Sequence, residues 1–430
     1  MALITGENKR FLFLQGPHGP FFWRLGQMLE RAGAQVWRVG FNAGDRAFWF
    51  SPKTYIGYRG TLNDWAETLR QTLHDKSITD IVLYGDTRPV HAQAAEMARQ
   101  MGIRTHVFEE GYLRPYWVSY ERDGSNGNSA LMQLSVDQMR ETLADADLDI
   151  PQAPAHWGDM RQHVFYGALY HWFVMFRNGH YRKMQRHRAL DVKTEFALYF
   201  MRLLGMPFYW LSRVFSTLRI KRGGYPYHIA LLQLEHDASF QAHSPFTKID
   251  EFIEVIIEGF AKGAPAHHHL VFKAHPLENG QTNIRRLIKN LARQHGVEGR
   301  CHYVRGGKLA QLLDHARSAV TVNSTAGQQV LWRGIPLKVF GAAVYNKPEF
   351  VSSQPLHEFF SLPTTPDTAA YRDYRRYLLE TSQIAGGFYA AKGRRQLLRQ
   401  VVGLMLHPHD PYEALEVGKA APRQQLRVIP

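Results

Sequence analysis

Short apolar runs alternate with amphipathic stretches through the first third of the chain. Phe11-Leu12-Phe13-Leu14 is continuously apolar, as expected of a strand covered on both faces. The loop Gln15-Gly16-Pro17-His18-Gly19-Pro20 follows, then a helical pattern from about Phe21 to Ala32 that stops at Gly33, and a second strand at Gln35 to Val39. Leu62 to Leu73 predicts a helix and Asp80 to Tyr84 a strand. Gly85-Asp86-Thr87-Arg88-Pro89-Val90-His91 leads into a helix ending near Gln100, and Arg104 to Phe108 is the next strand. Tyr116 to Ser129, with its polar turn Asp123 to Asn128, reads as a long ordered loop. Strand, loop, helix and strand in this rhythm predict a parallel sheet with helical crossovers.

The rhythm breaks at Pro151 and Pro154 and restarts at Tyr227. Beyond it, His228 to Leu234, Leu270 to Lys273, Ser318 to Val322 and Pro336 to Phe340 predict strands. Thr247 to Ala261, Gln281 to His295, Lys308 to Ala316 and Thr325 to Arg333 predict helices between them. Tyr371 to Glu380 and Arg394 to Leu406 are final helices. Four parts result: a Rossmann-like domain over 1–150, a helical segment over 151–224, a second Rossmann-like domain over 225–365, and helices over 366–430 that pack back on the domains. The fold class is α/β, with two Rossmann-like domains facing across a cleft, the architecture called GT-B, and a helical basic insertion.

Charge sharpens the reading of that insertion. The chain carries a formal +14 at pH 7. Between Arg161 and Arg222, twelve Lys/Arg stand against two acids, Asp191 and Glu195, amid fourteen Phe, Tyr and Trp. Basic residues mixed with aromatics suit either nucleic acid or an anionic membrane surface, and no nucleic-acid motif accompanies them. Val164 to Phe176 is short and interrupted by His171, while Phe196 to Phe215 carries Arg202, Arg213 and a central Gly205-Met206-Pro207. Both fit helices lying on a surface better than helices crossing a bilayer, with ordinary core helices as the alternative. The single cysteine, Cys301, excludes an internal disulfide and suits a reducing compartment. The N-terminal residues lack a signal-peptide pattern, so the protein is expected inside the cell.

Candidate chemistry falls at predicted strand ends. Glu109 and Glu110 close one strand and are followed by Gly111 and Arg114; this is where open α/β sheets bind ligands, and a salt bridge to Arg114 is the alternative use. Lys273-Ala274-His275-Pro276 sets a cation and an imidazole after another strand, suited to a phosphate. Asn323-Ser324-Thr325-Ala326-Gly327 runs from strand into helix, where its hydroxyls suit either an anion or a helix cap. Gly341 to Tyr345 follows the last strand and suits a base or ribose pocket. Three such loops at one sheet edge favour a nucleotide site. Gly16-Pro17-His18-Gly19 lacks the dinucleotide glycine spacing, which excludes a nicotinamide dehydrogenase. Asp145-Ala146-Asp147-Leu148-Asp149 carries a formal Asp-x-Asp but reads as a solvated loop. His267, His268 and His269 diverge along a strand and cannot share one ion, so no metal site is assigned. Without a P-loop, a nucleoside monophosphate held by Lys273 and His275 fits better than a metal-bound diphosphate, and no cofactor is obligatory.

These motifs together resemble the KpsS/LipB family of capsule polysaccharide β-Kdo transferases. The resemblance runs through Leu14 to Pro17, Asn42 to Phe48, Gly85-Asp86-x-Arg88-Pro89-x-His91, Phe108 to Pro115, Leu232-Gln233 to Phe246, Lys273-x-His275-Pro276 and Asn323 to Gly327. It is weakest in Arg161 to Arg222 and at the C-terminus. It implies a GT-B fold and a retaining transfer of Kdo from CMP-Kdo to a phosphatidylglycerol or lysophosphatidylglycerol acceptor. That product would be the first β-Kdo of the capsule linker, made peripherally on the cytoplasmic face of the inner membrane. The resemblance makes Glu110 the nucleophile in the acceptor-side domain and assigns CMP-sugar binding to the second. Lys273, His275, Pro276, Asn323, Ser324, Thr325, Gly341 and Tyr345 are the expected nucleotide-sugar residues. Gln15, Gly16, His18, Asp86, Arg88 and His91 are expected on the acceptor or supporting side, with Glu109, His18 and His91 open as the group that positions or deprotonates the acceptor. Arg114 holds the Kdo carboxylate or orients Glu110. A second Kdo transferase and the capsule export complex are possible partners, and nucleic acid is not. The alternative is a non-catalytic membrane adaptor of the export machinery.

Overall fold

Strand β1 (Arg10–Phe13) is apolar throughout its buried length because both faces of its sheet are covered. Phe11 and Phe13 point into one core and Leu12 into another, the period-two alternation of a central strand. The computed structural model describes residues 5–144, 160–184, 206–275, 278, 283–305 and 308–418, with side chains of 160 and 206–213 left aside. The Asp145 to Asp149 stretch, Pro276 and residues 196–205 lie outside these. The chain divides into two units, one formed by Met1–Ala130, Asp137–Ala189 and Arg375–Pro430, the other by Leu131–Val136 and Leu190–Tyr374.

In the first unit β1, β2 (Gln35–Gly40), β3 (Tyr55–Gly57), β4 (Asp80–Tyr84) and β5 (Arg104–Glu110) are parallel. Helix α1 (Phe21–Arg31) covers one face, and α3 (Trp65–Asp75) and α4 (Pro89–Met101) cover the other; the short α2 (Ala43–Ala47) follows β2. Two more helices, α5 (Val136–Ala144) and α6 (Met160–Arg177), come later in the chain. The stretch expected as a loop from Tyr116 contains a strand instead. β6 (Trp117–Arg122) pairs antiparallel with β5, setting Glu109 opposite Ser119 and Glu110 opposite Val118. Its six residues are all buried, including Glu121 and Arg122. Arg122 donates to the carbonyls of Leu404, His407 and Pro408, partners near the far end of the chain. A window of sequence could not show that this polar pair was satisfied in a strand.

The second unit builds its own sheet from β7 (Tyr227–Leu231), β8 (His269–Lys273), β9 (Cys301–Val304), β10 (Ala316–Thr321) and β11 (Leu337–Val339), all parallel in the order β11-β10-β7-β8-β9. Its helices are α7 (Met206–Arg222), with Pro207 in its first turn, α8 (Ala238–His243), α9 (Ile249–Gly263), α10 (Ile284–Gln294), α11 (Leu309–Leu313), α12 (Gly327–Leu331) and α13 (Leu356–Ser361). Helix α9 lays Phe252, Ile253, Ile256 and Phe260 into the core beneath β7 and β8. Buried Lys347 donates to the carbonyls of Leu131 and Leu134, at 2.6 Å each, which ties Leu131–Val136 into this unit. Helices α14 (Thr368–Glu380), α15 (Ala391–Leu406) and α16 (Pro411–Glu416) follow. Between α14 and α15, strand β12 (Gln383–Ala385) pairs antiparallel with β6 and completes the first sheet as β12-β6-β5-β4-β1-β2-β3. Two largely parallel sheets, each covered by helices, make this the α/β class that the pattern of apolar runs predicts.

Candidate active site

Parallel strands bring their carboxyl ends to one edge of a sheet. In the first unit that edge collects the ends of β1, β2, β4 and β5. Strand β5 runs through Glu109 and Glu110, two residues beyond the apolar run that marks it in sequence. Tyr84, ending β4, donates its hydroxyl to Glu110 Oε1 at 3.1 Å, and the phenol of Tyr389 lies near it. Burial, then the nearby Glu110, holds the Tyr84 phenol well above its ordinary range, so it remains a proton donor. Glu109 Oε1 accepts the backbone N–H of Glu110 at 3.1 Å. Gly111 is required by a close approach: a Cβ there would lie 2.2 Å from the Trp117 carbonyl oxygen, across the β5–β6 turn. Arg114 is exposed and donates Nε–H to the Gly111 carbonyl at 3.2 Å, rather than pairing with either carboxylate.

A second polar cluster stands at the same edge. Arg88 lies over the Tyr84 ring, 5.4 Å from its centroid, and donates to Gln15 Oε1 at 3.0 Å. Gln15 Nε2 reaches Tyr170 Oη at 3.0 Å and Asp45 Oδ2 at 3.3 Å. Buried Asp45 also accepts from Arg38, the Phe41 N–H and the Tyr170 hydroxyl. His18 stacks on the Tyr170 ring with centroids 4.3 Å apart. Gly16 is buried against the Phe22 ring. The structure thus brings Glu110, Arg88, Gln15 and His18 into one connected group. Asp86 and His91 belong to its support. Asp86 accepts from the Ser125 N–H at 2.9 Å and from Asn128 Nδ2 at 3.1 Å, which pins the polar loop after β6. His91 is wholly buried, with Nδ1 at 2.7 Å from the Gly85 carbonyl, away from any acceptor outside.

Helix α6 roofs this group. Its Tyr170 is the shared partner of Gln15, Asn42 and Asp45, and the Tyr170 ring fills the place a Cβ on Gly44 would take. Nearer its start, His163 stacks on Tyr389 at 4.1 Å, and Gln162 accepts the Ala391 N–H. One helix therefore touches both the Tyr84–Tyr389 pair behind Glu110 and the Gln15–Asp45 cluster. Tyr84, Tyr389, Tyr170, His163 and Asp45 were not singled out from the sequence. Only Asp45 fell inside a quoted motif, Asn42 to Phe48.

In the second unit the predicted loops do follow β8, β10 and β11, yet several of their side chains brace the loops themselves. Lys273 is buried and its Nζ donates to the Ala274 carbonyl at 2.9 Å; His275 is half-buried beside it. Asn323 is held by Gln233 in a two-way hydrogen bond of 2.7 and 3.0 Å. Ser324 Oγ accepts the Ala326 N–H at 3.2 Å, a tight turn inside the loop, and the helix that follows has no side-chain cap. Thr325 accepts the Gln328 N–H through its backbone carbonyl at 3.2 Å. Tyr345, expected to line a ligand pocket, is instead 1% exposed and donates its hydroxyl to the Ser324 carbonyl. Gly341 lies against the His243 carbonyl, where a Cβ would meet it at 2.6 Å. The histidine run splits by strand alternation: His268 Nδ1 meets His228 Nε2 at 3.0 Å, and His269 Nδ1 meets His302 Nε2 at 2.8 Å.

The chain is a two-sheet α/β protein with acidic, amide and guanidinium side chains gathered at a parallel edge, the place where such sheets bind ligands. More particularly, the chain belongs to the capsule polysaccharide biosynthesis protein family, whose model matches residues 79–389. It is 32% identical over 395 residues to the capsule polysaccharide modification protein LipB of Neisseria meningitidis serogroup B, across 90% of this chain and 93% of that one. It is 30% identical over 395 residues to the capsule polysaccharide export protein KpsS of Escherichia coli, across 90% and 98%. The family expected from the motifs is the one found. Among solved structures, the β-Kdo 2,7 transferase of Thermosulfurimonas dismutans KpsC aligns with TM-score 0.43 at 11% identity, over 92% of this chain and 100% of that one. That likeness is too loose to carry the fold, which rests on its own strand order.

Proposed function

We propose that the chain is a retaining glycosyltransferase that moves Kdo from CMP-Kdo onto a phosphatidylglycerol-type lipid, peripherally on the cytoplasmic face of the inner membrane. Membership of the capsule polysaccharide family supports the pathway, and the family resemblance supplies the sugar and the acceptor. The observation that carries the chemistry is the Glu110 carboxylate at the end of β5, which accepts the Tyr84 hydroxyl at 3.1 Å.

In the first step a Glu110 oxygen bonds to the anomeric carbon of Kdo while the bond from that carbon to the CMP phosphate oxygen breaks, its electron pair leaving on CMP. In the second, an acceptor hydroxyl oxygen displaces Glu110 from the same carbon, and its proton passes to a base. Two inversions give net retention. With His91 enclosed in the core, Glu109 and His18 are the remaining candidates for that base. The departing phosphate is stabilised by cationic groups, the role suggested for Lys273 and His275. Arg88, beside Tyr84 and Gln15, suits an anionic part of the donor or acceptor.

The test is mass analysis of the lipid formed from CMP-Kdo and lysophosphatidylglycerol. Glu110→Gln should lower turnover by roughly 10³-fold or more while CMP titration still shows binding. Normal turnover in that variant would remove Glu110 from the mechanism. Failure of the wild type to bind CMP would leave the membrane-adaptor reading in its place.

A further inference from the structure

Helix α6 is apolar on two sides. Its inner side seats Tyr166, Tyr170 and Val174 against Phe48. On the outer side Val164, Phe165, Trp172 and Phe176 are 62%, 60%, 45% and 63% exposed. Arg161, Val164, Ala168, Trp172 and Phe176 follow one another at steps of three and four residues and are all exposed, which makes a single stripe along the helix. Large aromatic side chains standing together on a surface mark an interaction site.

The charges around the stripe select the partner. Residues 160–184 include Arg161, Arg177, Arg182 and Lys183 and no Asp or Glu. Arg161 lies at one end of the stripe, and exposed Arg177, Arg182 and Lys183 lie at the other. Aromatics flanked by cations suit the headgroup boundary of an anionic bilayer, and a protein surface gives no comparable reason for the complete lack of acids. The helix has 18 residues, and no helix among the described residues is long and apolar enough to cross a membrane.

We propose that the outer face of α6 docks on an anionic phospholipid bilayer, placing the Tyr170 and His163 contacts of its inner face, and the carboxylate edge behind them, next to the lipid headgroups. The purpose of this contact rests on the lipid-directed reading of the site; its physical basis does not. The helix covers the site with one side and meets the lipid with the other, so a headgroup acceptor would reach the site without leaving the interface.

The experiment uses the full chain with vesicles of phosphatidylcholine, with and without phosphatidylglycerol, and no donor. Sedimentation should show partition onto the anionic vesicles alone, falling as salt rises from about 0.1 M to about 1 M. Trp172→Ser combined with Phe176→Ser should lower the partition coefficient by roughly 10-fold or more, and Arg177→Glu combined with Arg182→Glu by a similar factor. Melting temperatures should match the wild type, since these side chains are exposed. Trp172→Phe should still bind but lose part of the fluorescence quenching by acyl-brominated lipid. Wild-type partition by the Trp172→Ser/Phe176→Ser protein would overturn the proposal. So would equal binding to neutral vesicles, or self-association in the ultracentrifuge that this double substitution abolishes, which would assign the stripe to a second copy. CMP binding without vesicle binding sinks this inference alone; vesicle binding without CMP binding sinks the transferase reading and leaves this one standing.

Discussion

Glu121→Gln would remove one titration from the interior of the first unit while nearly preserving its shape. Glu121 is wholly buried and accepts hydrogen bonds from the hydroxyls of Tyr112, Ser129 and Tyr412. Burial pushes its carboxyl from an ordinary 4.5 up to about 7; the three hydroxyls oppose the rise and nearby Asp86 adds to it. The folded protein thus holds this proton more tightly than the unfolded chain does. Its contribution to stability is complete below pH 4.5 and is lost as the pH rises through about 7. At about 1.4 kcal/mol per pH unit, that gap corresponds to roughly 3 kcal/mol. Glutamine has no proton to lose. It does leave a fixed cost of about 1–3 kcal/mol, because an amide cannot accept from all three hydroxyls. Tyr112 in particular already accepts the Asn126 N–H at 2.7 Å. Denaturant unfolding of both proteins at several pH values separates the two effects, since every other titration cancels in the difference. The stability advantage of the wild type should shrink by roughly 3 kcal/mol between about pH 4.5 and pH 8. A difference that stays constant across that range would refute the argument. Val107 of β5 pairs with Glu121, so the same measurement bears on the strand that delivers Glu110.

Tyr84→Phe removes the hydroxyl from Glu110 but keeps the ring that lies under Arg88 and beside Phe388. Loss of one hydrogen bond to a charged group should cost about 1.5–3 kcal/mol, or roughly 10- to 100-fold in kcat, with little change in the KM for CMP-Kdo; an unchanged kcat would show that Tyr84 does not position the carboxylate. Gly111→Ala forces a Cβ to within 2.2 Å of the Trp117 carbonyl, where only backbone movement can relieve it. It should destabilise the first unit by roughly 3 kcal/mol or more in thermal unfolding, and a loss below about 0.5 kcal/mol, the range of an ordinary surface change, would mean that the hairpin adapts freely.

The sequence by itself determined the α/β class, the positions of the central strands along the chain and the place of the carboxylates at a strand end. Each of these depends on local signals: the apolar runs of β1, β4, β7 and β8, the glycines that stop helices at Gly33, Gly296 and Gly334, and the turn after Glu110. Strands β6 and β12 left no such signal. Glu121, Arg122 and Gln383 are polar in the chain, and only partners remote in sequence, such as Tyr412, the Leu404 carbonyl and Ser119, make their burial affordable. The loops of the second unit were placed correctly along the chain, but whether Tyr345 faces a ligand or the Ser324 carbonyl was decided by packing. The same holds for the candidate site. The glutamates were visible at the end of a run of apolar residues; that Tyr84 holds Glu110, His163 stacks on Tyr389 and Tyr170 joins Gln15 to Asp45 was not, because hydrogen bonds and ring contacts between distant segments have no periodicity to read. The helical character of α6 was expected from the sequence; that one of its faces packs on the candidate site while the other is exposed was decided by tertiary structure alone.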